Sequence, residues 1–285
     1  MTTPDAAPSA VAPVTAVEAR TRMSPRQRAR ISRGIQYGLL VVAVVVLAVS
    51  IDWGRVGDQI FNVEAAQDLL PKIPQAFLNT LTYTAAAFAV GLSLGIVLAL
   101  MKLSSVGVYR WLATAYIEFF RGIPALLVVI AFAYAVPIAL GVSIPSLTLK
   151  AALALGMVSA AYIAETLRAG IEAVPPGQIE AARSLGMSHS RTLVTVVIPQ
   201  AFRIVLPPMT NEIILLTKDT SLIYLMGLLP TQFDLTKIGR DALSSGSGGG
   251  LTGLFVAGIG YLCITIPLGL LARWLEKRTG KGSRS

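Results

Sequence analysis

Apolar runs of membrane-crossing length recur along this chain, and they leave little freedom in how it can fold. About 20 apolar residues in helical form span the hydrocarbon core of a bilayer, and every backbone amide there must be satisfied within the protein. The first run, Ile35 to Ile51, holds 17 residues without a charge. Others extend from Phe77 to Met101, Ile123 to Leu140, Leu147 to about Leu167, Ile204 to Leu228 and Leu251 to Leu271. The fifth contains Pro207, Pro208, Lys218 and Asp219. Only 14% of the 285 residues are charged, well below the level of about 25% usual for a soluble domain. The expected fold class is therefore all-α: a polytopic membrane protein of about six transmembrane helices.

Basic residues set the expected orientation. With the N-terminus in the cytoplasm, 18 lysines and arginines fall on the inner side and 5 (Arg55, Lys72, Lys150, Lys237 and Arg240) on the outer, with Lys218 at membrane depth. That bias predicts both termini inside. It also accounts for the net charge of +9 through helix ends facing anionic lipid, without nucleic acid. The expected organisation is a disordered basic cytoplasmic tail over 1–33, a first transmembrane helix with its outer loop over 34–75, a main transmembrane domain over 76–273 and a cytoplasmic tail over 274–285. The first run is longer than a signal-peptide core and reads as an uncleaved span. Cys263 is the only cysteine, so no intramolecular disulfide forms.

A polar island from Ala160 to Thr220 interrupts the apolar pattern and has the character of a docking surface for a soluble partner. Pro175 and Pro176 end the fourth span, and Pro176 suits the start of a short helix over about Gly177 to Leu185. Glu180 is expected near the positive N-terminal end of that helix. Ala181 and Ala182 expose little bulk, and Gly186 fits the C-terminal turn. This coupling helix lies on the cytoplasmic side between spans four and five, and a further helix starts near Ser188. Pro207 and Pro208 are expected to break the fifth span near its inner end. A short outer helix is expected around Val63 to Leu70, and an interfacial helix within Lys102 to Arg121. The Gly/Ser stretch Ser244 to Gly250 is an outer loop. No Gly-Lys-Ser/Thr phosphate loop occurs anywhere, so ATP chemistry is not expected on this chain.

Glu180-Ala181-Ala182, then Gly186, then Val196-Val197-Ile198-Pro199 resembles the EAA loop of ABC-importer permease subunits. Asn79-Thr80-Leu81, Glu118 to Pro124, Ala164-Glu165, Arg168-Ala169-Gly170, Pro199-Gln200-Ala201 and Lys218 to Leu222 look like the polar amino acid uptake branch, over roughly Ala76 to Glu276. Val196 and Ile198 depart conservatively from the family's Ile-x-Leu-Pro ending, and the first span is an addition to the branch's five-helix core. The resemblance implies a permease subunit in a bacterial cytoplasmic membrane that carries a polar amino acid. It implies cytoplasmic ABC ATPase subunits as partners, a second permease subunit (the same chain or a related one) and an extracytoplasmic amino acid-binding protein. Glu180, Ala181, Ala182 and Gly186 would receive the ATPase stroke.

Ionisable residues at membrane depth are functional candidates by default. Lys218 and Asp219 form a structural ion pair, or mark a helix end close to water, or belong to a substrate pathway in which Asp219 meets an ammonium group and Asn211 offers hydrogen bonds. Glu118 and Arg121 form either an interfacial pair that fixes span three or part of the same pathway. His189 reads as a surface residue. Gly91 and Gly95 form a small-residue packing face. No catalytic group, metal site or cofactor is expected. An ion-gradient-driven secondary transporter is the competing function, and a partner ATPase separates the two.

Overall fold

The computed structural model describes residues 25–244 and 249–279. The expected tail up to residue 24, residues 245–248 of the Gly/Ser loop and the last six residues lie outside the described residues. The chain divides into two compact units that meet between Trp53 and Gly54, and each is taken by itself.

The first unit is dominated by helix α1 (Pro25–Ser50). Residues 25–33, expected as disordered tail, are instead the first turns of this helix. Their arginines are good helix formers, and proline is at home in a first turn. Helix α1 is long and apolar enough to cross a membrane. The Trp53 indole N–H donates to the Ala48 carbonyl at 2.7 Å and ties down the end of the helix.

The second unit begins with two short helices, α2 (Trp53–Ile60) and α3 (Val63–Leu69). The second of these meets the expectation around Val63 to Leu70, with Asn62 accepting from the Ala65 N–H as its cap. Next come α4 (Ile73–Leu103), α5 (Gly107–Gly122), α6 (Ala125–Ile130) and α7 (Val136–Leu140), followed by α8 (Leu147–Glu172), α9 (Pro176–Ser184) and α10 (His189–Thr192). The unit closes with α11 (Ile198–Asp219), a 3-10 segment Thr220–Met226, α12 (Leu235–Ser244) and α13 (Thr252–Thr279). No strand occurs among the described residues. Five helical stretches are long and apolar enough to cross a membrane; the bent pair Gly107–Gly122 and Ala125–Leu140, with 100° between its arms, makes six if counted as one span. The chain is thus an all-α polytopic membrane protein. Residues 274–279, expected as tail, continue α13.

Small residues bring α4 and α8 together. A Cβ on Gly91 would run into Ser159 Oγ, one on Gly95 would lie 2.6 Å from Ile163 Cγ2, and one on Gly156 would lie 2.8 Å from Val90 Cβ. The expected Gly91/Gly95 face is therefore a packing face within this chain. Close approach through small residues is how helices gain van der Waals contact where no hydrophobic effect drives association. Around it, Tyr83, Val129, Leu155, Leu216 and Ile223 form one buried cluster, and Ile117, Phe120, Val128 and Val158 belong to another.

Prolines shape the helices in two ways. A π turn, Ala131–Ala135, joins α6 to α7 just ahead of Pro137, and a second, Leu193–Val197, joins α10 to α11 just ahead of Pro199. In each, the residue before the proline donates five residues back: Val136 N–H to Ala131 and Ile198 N–H to Leu193. The widened turn makes room for a ring that would otherwise crowd the carbonyl four residues earlier. Pro207 and Pro208, by contrast, do not break the fifth span as expected. Helix α11 runs through both, with Pro207 buried against the bundle. Spanning helices tolerate proline where neighbouring helices pack against it.

The 3-10 segment ends at Gly227, whose φ of 74° reverses the chain. Polar groups hold the loop between Gly227 and α12. Asn79 Nδ2 donates to the Thr231 and Phe233 carbonyls, each at 2.9 Å, and Tyr83 Oη donates to the Gln232 carbonyl at 2.7 Å. Asp234, fully buried, caps α12 by accepting from the Thr236 and Lys237 N–H groups and from Tyr261 Oη. Burial pushes its carboxyl up from the ordinary value, against those hydrogen bonds.

Candidate functional site

Two surfaces hold the residues singled out in the sequence. The first is α9. Pro175 and Pro176 stop α8 and start α9, as expected. The helix ends in a turn set by Gly186, at φ 82°. Gly186 N–H donates to the Arg183 carbonyl at 3.0 Å and Met187 N–H to the Ala182 carbonyl at 3.2 Å. These paired bonds satisfy carbonyls that the helix end would leave open, in a conformation that glycine adopts without steric cost.

Two expectations about α9 need correction. Glu180 is the fifth residue of the helix rather than near its N-terminal end, and the first turn holds no acid. Ala182 is buried against the chain's own body at 5% exposure, so only Ala181 of the pair offers an open small surface. Glu180, Ala181 and Gly186 are exposed. Leu185, which the sequence did not single out, is 85% exposed at the tip of this element. Val194 is 62% exposed on the π turn that comes next. Behind α9, Val174, Val197 and Ala201 form a small buried cluster that seats it.

The second surface is a pocket of about 470 Å³ between α5, α8 and α11. Leu155, Val158, Ser159 and Tyr162 line it from α8, and Glu212, Leu215, Leu216 and Asp219 from α11. Each set follows the spacing of three, four and seven residues that puts side chains on one helix face. The third wall is the bend from Arg121 to Ala125. Proline at 124 lacks a donor and disfavours helix at the residue before it, and Ile123 is accordingly extended. The Arg121 guanidinium lies 5.7 Å from the centre of the Tyr162 ring.

Arg121, expected on the cytoplasmic side, therefore lies beside the middle of α8. Helix α5, packed on α4 and α8, carries it there. Removing it from the inner count leaves 17 basic residues against 5, and the expected orientation is unchanged.

Of the pathway candidates, the structure brings Asp219 and Arg121 to the pocket. Asn211, Lys218 and Glu118 are exposed and lie outside its lining. Neither expected pair forms: among the described residues no ion pair joins Lys218 to Asp219 or Glu118 to Arg121. In their place the pocket gathers Arg121, Glu212 and Asp219, none of which makes an ion pair or hydrogen bond through its side chain to another described residue. Glu212 was not among the candidates. Its only sequence signal is that it precedes Asp219 by seven residues on one helix.

A separate charged network also escapes the sequence. Glu165 pairs with Lys102 at 3.1 Å and with Arg168 at 2.8 Å, and Arg168 pairs with Glu172 at 2.5 Å. The Glu165 Oε1 facing Lys102 is buried without a well-aligned hydrogen bond, so that contact is electrostatic in character. No group of ligating side chains that could hold a metal ion occurs among the described residues.

Spanning helices around a charged pocket, with a small exposed helix between two of them, define a membrane transport subunit. Residues 91–281 match the family model for the binding-protein-dependent transport system inner membrane component, and the chain belongs to that family. It is 34% identical over 220 residues to the probable glutamine ABC transporter permease protein GlnM of Bacillus subtilis (strain 168), covering 77% of this chain and 99% of that one. The glutamate/aspartate import permease protein GltK of Escherichia coli O157:H7 is 35% identical, over 74% of this chain and 94% of its own. The arginine transport system permease protein ArtQ of B. subtilis is 33% identical, over 73% and 94%. Among solved structures, the crystal structure of an amino acid ABC transporter with histidines superposes with a TM-score of 0.68 at 34% identity, covering 76% of this chain and 98% of that one. The chain is a permease subunit of an ABC importer.

Proposed function

We propose that this permease carries an amino acid through the pocket between α5, α8 and α11, and that a partner ATPase drives it through α9. Three charged side chains without ion-pair partners among the described residues, Arg121, Glu212 and Asp219, around a cavity of about 470 Å³ carry the reading. Unpaired charges among spanning helices are costly, and they are kept where a ligand or pathway uses them. An amino acid has a carboxylate for Arg121 and an ammonium group for a pocket carboxylate, and the cavity volume falls within the ordinary range for small-molecule sites. Relatives named for glutamine, glutamate/aspartate and arginine permeases support an amino acid cargo and leave its charge class open.

The ATPase docks on the cytoplasmic face of α9. Glu180 and Ala181 form its open side, Leu185 is an apolar knob for a groove in the partner, and Gly186 and buried Ala182 fix the helix's pose. Both termini lie in the cytoplasm of a bacterial cell, as the 17 to 5 basic bias supports. A second permease subunit and an external amino acid-binding protein complete the importer. Asp219→Asn tests the pathway. In the assembled transporter, uptake of the cognate amino acid should fall at least about tenfold, the scale of a lost charge-assisted bond, with subunit assembly unchanged. Unchanged uptake kinetics would contradict the role given to the pocket.

A further inference from the structure

Glu212 and Asp219 lie on one face of α11 with Leu215 and Leu216 between them. At 1.5 Å rise per residue, their attachment points are about 10.5 Å apart along the helix. Arg121, held over Tyr162, is the only cation lining the cavity among the described residues. The lining thus offers two carboxylates attached two helical turns apart and one guanidinium.

We propose that this arrangement selects cargo by charge: the pocket takes an amino acid whose long side chain ends in a cation, of the lysine and arginine class. The inference rests on the pocket being the cargo site, as proposed for its function. Arg121 presents a planar fork suited to the α-carboxylate. One pocket carboxylate receives the α-ammonium group. The second, two helical turns away, is then left facing the cargo's side chain. A side-chain cation neutralises it. A neutral amide such as that of glutamine offers only a hydrogen bond and leaves a half-buried carboxylate without counter-charge. An acidic side chain brings a third carboxylate against the two in a partly dehydrated cavity, where like charges repel strongly.

The test is equilibrium binding of radiolabelled L-arginine, L-glutamine and L-glutamate to the assembled permease–ATPase complex in lipid nanodiscs, without the binding protein, whose own selectivity would mask that of the pocket. L-arginine should bind at least about tenfold more tightly than L-glutamine, as expected for one charge-assisted bond, with L-glutamate weakest. Glu212→Gln should lower arginine affinity by about tenfold while sparing glutamine, and Glu212→Asp should keep the arginine preference. Equal affinity for the three, or an equal loss for all three in Glu212→Gln, overturns the charge selection. If wild type shows no preference and Asp219→Asn still abolishes binding of all three, the pocket stands as the cargo site and only the selection fails. Absence of binding by all three to wild type overturns both.

Discussion

At the scale of single residues, the structure gives several singled-out positions different work from that expected. Gly186 faces open space where a Cβ would stand, so its requirement is conformational rather than steric: φ of 82° is a backbone state that side chains disfavour. Gly186→Asp strains the turn by about 1 kcal/mol and adds a carboxylate beside exposed Leu185. We expect membrane insertion and expression to be kept and co-purification with the ATPase to be lost. Normal co-purification with normal ATP-driven uptake would contradict the coupling role of α9. Residue identity made this turn legible, since Pro-Pro followed ten residues later by Gly brackets a short helix. Which alanine faces outward was not legible, because that depends on how α9 seats on the Val174–Val197–Ala201 cluster. Lys218 and Asp219 teach the same lesson. Adjacent in sequence, they diverge in space: Asp219 lines the pocket and Lys218 lies outside its lining.

At the scale of elements, hydropathy located the apolar centre of each span but not its ends: the fifth stretch starts at His189 rather than Ile204, and the sixth runs on to Thr279. The bent pair was read less well. Composition made the stretch ending at Arg121 look like an interfacial helix, yet α5 packs against α4 and α8 with Ile117 and Ala113 fully buried. An amphipathic helix has the same pattern whether its polar face meets headgroups or a cavity, and only tertiary contact decides. Joining the C-terminal ends of α4 and α8 is the Lys102–Glu165–Arg168–Glu172 network. Glu165 is its centre, pairing with both cations, so Glu165→Gln should cost the solubilised protein about 1–2 kcal/mol, measured as a lower melting temperature. Lys102→Met should cost less, since Arg168 still holds the carboxylate. Equal or absent effects would mean that the network is incidental to the α4–α8 junction. The Asn79-Thr80 pair also acquires a physical reason here. Asn79 straps the loop after Gly227, and Thr80 Oγ1 accepts from the Leu235 N–H at 3.3 Å, which together seat the start of α12.

At the scale of the whole molecule, the chain is a permease subunit of an ABC importer. Helices α8 and α11 each carry one wall of the pocket, and they flank α9 in sequence. On the proposed reading, displacement of α9 by a partner would reach both walls. Fold class and family were legible because apolar length and the EAA loop are local signals. The pocket was not, because its three charges come from Arg121 on α5 and from Glu212 and Asp219 on α11, united only by packing on α8. The most direct test of this account is uptake of radiolabelled amino acids by proteoliposomes holding this chain with its second permease subunit, its ATPase and its binding protein. Uptake should require internal ATP and cease when the ATPase is omitted. Uptake driven by an ion gradient without the ATPase would contradict it.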